Sequence, residues 1–290
     1  MQRKHLFLLL LITFLFGSAF PVSKLALNNS LPPILFGSLR MGILFVCLIP
    51  FYKFKLPERK YLIPLLGFSL SMGTGTILFM NLAIENSSVV SPIIIGAQLA
   101  IPFGIICSSI FLREKVSYKK WILIFTSFIG IIFIGFDPDL INEVNALFLT
   151  VIMSFFYGLS QVFSRFLKNL DVKITNFYMG LTGFISLLII SIIFEGNLFS
   201  NVININIETW LLILHSAIIV SLIAHICMFY LYKFYSVEVV FPFYSLFPIF
   251  GILLTFIIFY EIPGIFEVCG GIIVIGSIYL IHKENKRVKF

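Results

Sequence analysis

Runs of about 18–25 mostly apolar residues, split by short polar breaks, recur along the whole chain. That is the length an α-helix needs to cross a hydrocarbon layer of ~30 Å. Inside hydrocarbon the backbone must satisfy its own hydrogen bonds, so such runs fold as helices. A transmembrane barrel would need roughly 10-residue segments of alternating polarity, and the sequence has none. Composition agrees: 60% of the 290 residues are hydrophobic and only 11% are charged, too few for a water-facing skin. The chain reads as an all-α, multi-pass membrane protein.

Matching apolar runs to breaks gives ten transmembrane helices, over 6–25, 33–52, 61–84, 88–112, 119–136, 145–167, 175–195, 209–233, 238–260 and 265–282. The longest break, 196–208, is Asn-rich and too short for an extramembrane domain. Charge tests the count. With the N-terminus in the cytoplasm, the inner segments collect all but two of the 20 basic residues, from Arg3 and Lys4 to Lys283, Lys286, Arg287 and Lys289. The exceptions are Lys24 and Arg40. The outer segments hold acids instead: Glu85, Asp137, Asp139, Glu143, Glu195, Glu208, Glu261 and Glu267. A miscounted span would scramble this order, so both termini are placed in the cytoplasm. The net charge of +7 follows from the same bias, and no nucleic-acid partner is expected. The basic start before an apolar run also fits a signal peptide, but the run continues to Val22 and the repeat below needs the segment retained.

The chain repeats itself. Phe16-Gly17 aligns with Tyr157-Gly158, Ser23 with Ser164 and Lys24 with Arg165. "FGIICSSIFLRE" at 103–114 matches "FGILLTFIIFYE" at 250–261, pairing Gly104 with Gly251 and Glu114 with Glu261. "SVVSP" at 88–92 matches "EVVFP" at 238–242. Each half holds five spans, an odd number, so the second half is inverted relative to the first. Two inverted five-helix repeats, 1–140 and 141–290, are the expected domains. A binding site between such repeats is the architecture of alternating-access transporters.

The stretches "FGSAFPVSKLAL" and "LPPILFGSLRMG", with "FLREKVSYKKWILIFTSFIGIIFIG" and "FYEIPGIFEVCGGIIVIGSIYL", resemble the drug/metabolite transporter superfamily, EamA type. The resemblance covers essentially the whole chain and lies in the order and duplication of individually weak motifs. One departure is Phe16, where the family often has Trp. The resemblance implies movement of small metabolites, often amino acids or their derivatives, and commonly outward.

Polar side chains deep in a membrane face a cavity or a partner. The sixth span carries Ser154, Tyr157, Gln161 and Ser164 at helical steps of three and four, and the eighth carries Ser221, His225 and Tyr232. The fourth offers Ser91, Ile95, Gln98 and Pro102; the ninth Tyr244, Pro248, Gly251 and Thr255. The third has Gly67, Gly73 and Gly75 for close helix approach, with Thr74 and Asn81 seven apart. Prolines 92, 102, 242 and 248 are expected to bend the fourth and ninth spans. The expected substrate-binding residues are Asn81, Gln98, Tyr157, Gln161, His225 and Tyr244. For each the plainer alternative is a hydrogen bond to a neighbouring helix. Lys24 and Arg40 either form a cationic funnel for a carboxylate substrate or snorkel to the interface and meet Glu85. Glu114 and Glu261 read as helix-junction residues.

No Gly-rich nucleotide loop occurs, so ATP is not the direct energy source. Cys47, Cys107, Cys227 and Cys269 lie far apart in apolar runs, without metal-ligand spacing. No cofactor and no metal is expected. His225 is the candidate proton carrier. The expected function is secondary transport of a small metabolite across the cell inner membrane, most readily efflux of an amino acid or derivative. An uptake permease or a nucleotide-sugar-like exchanger is the alternative. A lipid-modifying membrane enzyme would need a paired-carboxylate or metal constellation that is missing, and a receptor would need an extramembrane surface. The expected partners are the substrate and the bilayer; monomer and homodimer both fit.

Overall fold

The computed structural model describes residues 2–52, 57–138, 143–196, 198–232, 234–235 and 246–287. Every regular element among them is helical. Among the described residues, eight helices are long and apolar enough to cross a membrane. In chain order we label α1 (Arg3–Asn28), α2 (Pro33–Phe51), α3 (Arg59–Glu85) and α4 (Ser91–Phe111). The shorter α5 spans Tyr118–Ile134. Next come α6 (Val144–Phe166) and α7 (Val172–Phe194). Helix α8 runs through Ile207–Leu214, His215–Ala224 and His225–Tyr232. Helix α9 is Phe247–Phe259, and α10 is Ile265–Arg287. A short unlabelled helix, Leu198–Ile203, sits in the Asn-rich break.

Local chemistry sets the starts. Asp171 and Asn206 accept backbone hydrogen bonds from Lys173 and Thr209 at 2.9 and 2.7 Å, so α7 and α8 begin on side-chain caps. Proline sits in the first turn of α2, α4 and α9, where the missing N–H costs nothing. This corrects part of the kink expectation: Pro92 and Pro248 begin their helices instead of bending them. Pro102 is interior, and it deprives the Gln98 carbonyl of its α-helical donor. The chain tightens there into a 3₁₀ turn, Ala97–Leu99. Pro242 lies outside the described residues.

Two helices carry wide π-helical segments, Ser69–Thr76 in α3 and His215–Ala224 in α8. In each, a hydroxyl donates five residues back: Thr76 to Ser71 O at 2.9 Å, Ser221 to Ser216 O at 3.0 Å. The wide turn also separates Thr74 from Asn81. Thr74 bonds Ser186 of α7 at 2.6 Å, whereas Asn81 bonds Pro33 O of α2 at 3.0 Å.

Glycines fix how the helices cross. A Cβ on Gly17 of α1 would lie 2.7 Å from Phe247 O and 2.8 Å from Gly251 N of α9. A Cβ on Gly158 of α6 would lie 2.6 Å from Gly104 N of α4. These are the glycines paired by the sequence repeat, and each half's first helix crosses the other half's fourth. The equivalent helices α5 and α10 meet each other at Gly130 and Gly270, and α2 meets α7 at Gly180. Each of these crossings joins a helix of one half to a helix of the other. The glycines of α3 do allow close approach: Gly67 and Gly75 receive Phe163 and Phe156 of α6, and Gly73 receives Met179 of α7.

Candidate functional site

Each end of the bundle is held differently. At the end holding the α1–α2, α3–α4, α7–α8 and α9–α10 connections, carboxylates of the second half hold backbone of the first. Glu195 accepts from Ile34 N and Leu35 N at 2.7 and 2.9 Å. Glu261 accepts from Val90 N and Ser91 N at 2.9 and 2.8 Å. Glu143 takes the Ser87 hydroxyl at 2.7 Å and Ser88 N at 3.0 Å. The helix N-termini of α2 and α4 thus each receive an anion, where their free N–H groups and dipole favour one. Lys24 completes this end, donating to Ile84 O at 3.2 Å and Ser87 O at 2.6 Å. It caps α3 and does not bond Glu85.

At the opposite end, the contacts among the described residues are of another kind. Glu114 pairs with Arg165, both side chains about half exposed. Tyr235 contacts His5 Nδ1 at 2.9 Å and takes Gln2 N at 3.1 Å. Tyr52 and Tyr178 share a hydrogen bond of 2.7 Å. Lys24 and Arg165, equivalent by the repeat, thus serve different partners.

Of the expected binding residues, Asn81 and Gln98 are buried in the interior, and the other described ones are less enclosed. Asn81 is fully buried; its Nδ2 donates to Pro33 O, and its Oδ1 has no hydrogen-bond partner among the described residues. Gln98 is buried with Nε2 likewise unpartnered. On α6, Ser154 donates to Gly96 O of α4 at 2.9 Å, so that part of the stripe bonds a neighbouring helix. Tyr157 is half-buried and Gln161 exposed. On α8, His225 Nδ1 faces Val220 O at 3.2 Å. A carbonyl only accepts, so that nitrogen carries the proton. The His225 ring stands edge-on to Phe16 of α1, with centroids 4.9 Å apart. Tyr244 lies outside the described residues.

A cluster that no sequence stripe brought together surrounds Arg40. Its Nε donates to Ser221 Oγ at 2.9 Å. Ser18 of α1 contacts His215 Nε2 at 3.5 Å. Ser18 belongs to the "FGSAFP" stretch and Ser216 to the wide turn of α8; neither stands out by spacing. Only the docking of α1, α2 and α8 gathers them. Among the described residues, no group of three or more His, Cys, Asp or Glu is placed to hold a metal ion.

The duplicated bundle and its paired crossings define a multi-pass helical membrane protein built from two copies of one unit. The model of the EamA-like transporter family matches it twice, at residues 3–136 and 144–282. The chain belongs to that family, and so to a class of membrane transporters. A solved crystal structure, 15% identical in sequence, aligns with TM-score 0.57, covering 92% of this chain and 96% of its own. That likeness concerns the fold. No curated protein sequence matches the chain.

Proposed function

We propose that this protein is a secondary transporter that exports a small metabolite, an amino acid or a derivative, across the cell inner membrane by alternating access. In this reading ten helices span the bilayer, α5 and α9 among them, with both termini cytoplasmic and the repeats meeting near residue 140. The carrying observation is the inequality of the two ends. One end is closed by Glu143, Glu195, Glu261 and Lys24, and the repeat-related pair Glu114–Arg165 at the other end stands half-exposed. Two equivalent halves in unequal states are what a rocking transporter presents at one stage of its cycle. In the proposed topology the closed end faces outward.

Substrate would pass between the halves, past Asn81, Gln98, Tyr157, Gln161, His225 and Tyr244. The unpartnered amide atoms of Asn81 and Gln98 support this, since a buried polar atom left unpaired is costly and a substrate supplies the missing bond. His225 is the proposed proton carrier. The test is release from liposomes loaded with amino acids and nucleobases, followed by mass spectrometry with and without a pH gradient. Selective release that Gln161→Ala reduces, with a pH effect that His225→Ala removes, is the expected result. Folded protein that releases neither class sinks the amino-acid reading.

A further inference from the structure

The transport reading leaves Arg40 unexplained. It sits roughly 10 Å along α2 from the helix start, at 1.5 Å per residue, and is only 5% exposed. Beyond its bond to Ser221, its Nη1 is buried with no hydrogen-bond partner among the described residues. The ion pairs among the described residues are Lys60–Glu58 and Arg165–Glu114, so Arg40 has no carboxylate against it there. A lysine could shed its proton in such a place; a guanidinium does not. The charge persists, and burying it without a counter-ion is costly.

The neighbours do not supply that counter-ion. Ser221 spends its proton on Ser216 O and offers Arg40 only a neutral oxygen. His215 Nδ1 and Ser216 Oγ are buried without partners among the described residues. Both His215 and His225 lie within electrostatic range of Arg40. Three helices thus enclose one fixed cation and two further unmatched polar atoms, with Phe16 packed on His225 beside them.

We propose that Arg40 anchors a carboxylate of the transported molecule, held between α1, α2 and α8. The planar guanidinium fork matches a carboxylate, and one fixed positive charge balances one negative charge. A phosphate monoester, carrying about −1.5 to −2 at neutral pH, would be left under-neutralised. The inference rests on the transport reading and names the substrate class that reading leaves open.

The test uses the full chain in liposomes loaded with an equimolar panel of poorly permeant compounds. The panel holds amino acids, gluconate with its uncharged counterpart sorbitol, and glycine betaine with its counterpart choline. Release of carboxylates at least tenfold faster than of sorbitol and choline, lost in Arg40→Met and partly kept in Arg40→Lys, is the expected result. Sorbitol or choline leaving as fast as the acids overturns the carboxylate anchor while transport stands. Release of nothing overturns the transport reading and the anchor with it. Thermal unfolding of the purified variants adds a readout independent of transport. Arg40→Met, which removes an uncompensated charge, unfolds at or above the wild-type temperature. A clear fall assigns Arg40 to holding the helices together and overturns the anchor.

Discussion

Lys24 ends up on two backbone carbonyls at the α3 terminus, and this determines what its removal does. Charge-assisted hydrogen bonds contribute roughly 1.5–3 kcal/mol each when formed away from water. Lys24→Met therefore lowers stability by about 1–3 kcal/mol, read as an earlier thermal unfolding transition in detergent, whereas Glu85→Gln leaves it unchanged. The sequence marks Lys24 as the repeat partner of Arg165 and offers Glu85 as its mate. Helix-end carbonyls are invisible there, since every residue carries one. The same blindness applies to Arg40: its place in the second span is legible, but its isolation from acids depends on how α8 docks. Asn81 and Gln98 were legible as buried polar residues because an amide in an apolar run has few other places to go. Gln161 shares a helical stripe with Ser154, yet the first is exposed and the second bonds a neighbouring helix. Spacing alone cannot separate the two.

Among the helices, crossings matter more than lengths. Gly17 and Gly158 each let two backbones come closer than any side chain permits. Gly17→Val must push α1 and α9 apart; overpacking of this kind costs about 1–3 kcal/mol. The expected outcome is a lower unfolding temperature and loss of release. Gly276→Ala serves as the control, because a Cβ there meets nothing within 4 Å, and its unfolding temperature stays at or slightly above the wild-type value, as replacing a helical glycine by alanine favours the helix. Most helix positions were readable from apolar run length, but the prolines were not read as starts: Pro92 and Pro248 begin their helices instead of bending them. The wide turns in α3 and α8 were not readable, because hydrophobicity carries no signature of a hydrogen bond five residues back. They spoiled the seven-residue spacing that placed Thr74 and Asn81 on one face.

Taken whole, the molecule is two copies of one unit, with carboxylates of the second half bonded to the first at one end. Glu261 accepts from two N–H groups at the start of α4, those of Val90 and Ser91, and so ties that helix to the second half. Glu261→Gln keeps the shape and removes the charge. It should loosen that end, and in a variant lacking the native cysteines Ser91→Cys should then react faster with a membrane-impermeant maleimide. Ser91 is fully buried, so unchanged labelling would show that Glu261 does not hold this end closed. Glu114→Gln breaks a half-exposed pair at the other end, where such pairs contribute about 0–1 kcal/mol, and leaves the unfolding temperature nearly unchanged. The duplication was legible at this scale because Gly, Pro and Glu recur in the same order along both halves, each of which the family model matches. The inequality of the ends was not, since equivalent residues such as Lys24 and Arg165 differ only in what the assembled bundle brings to them.

The paired π-helical segments also speak to ancestry. Each lies in the third helix of its half and carries a hydroxyl bonded to the carbonyl five residues earlier. Two separate origins would have to hit on the same irregularity at corresponding places. A single origin in a five-helix forebear, copied when that gene doubled, requires one event. On that account the widened turn is older than the protein's present form, and the forebear had already acquired it before its two copies were joined head to tail.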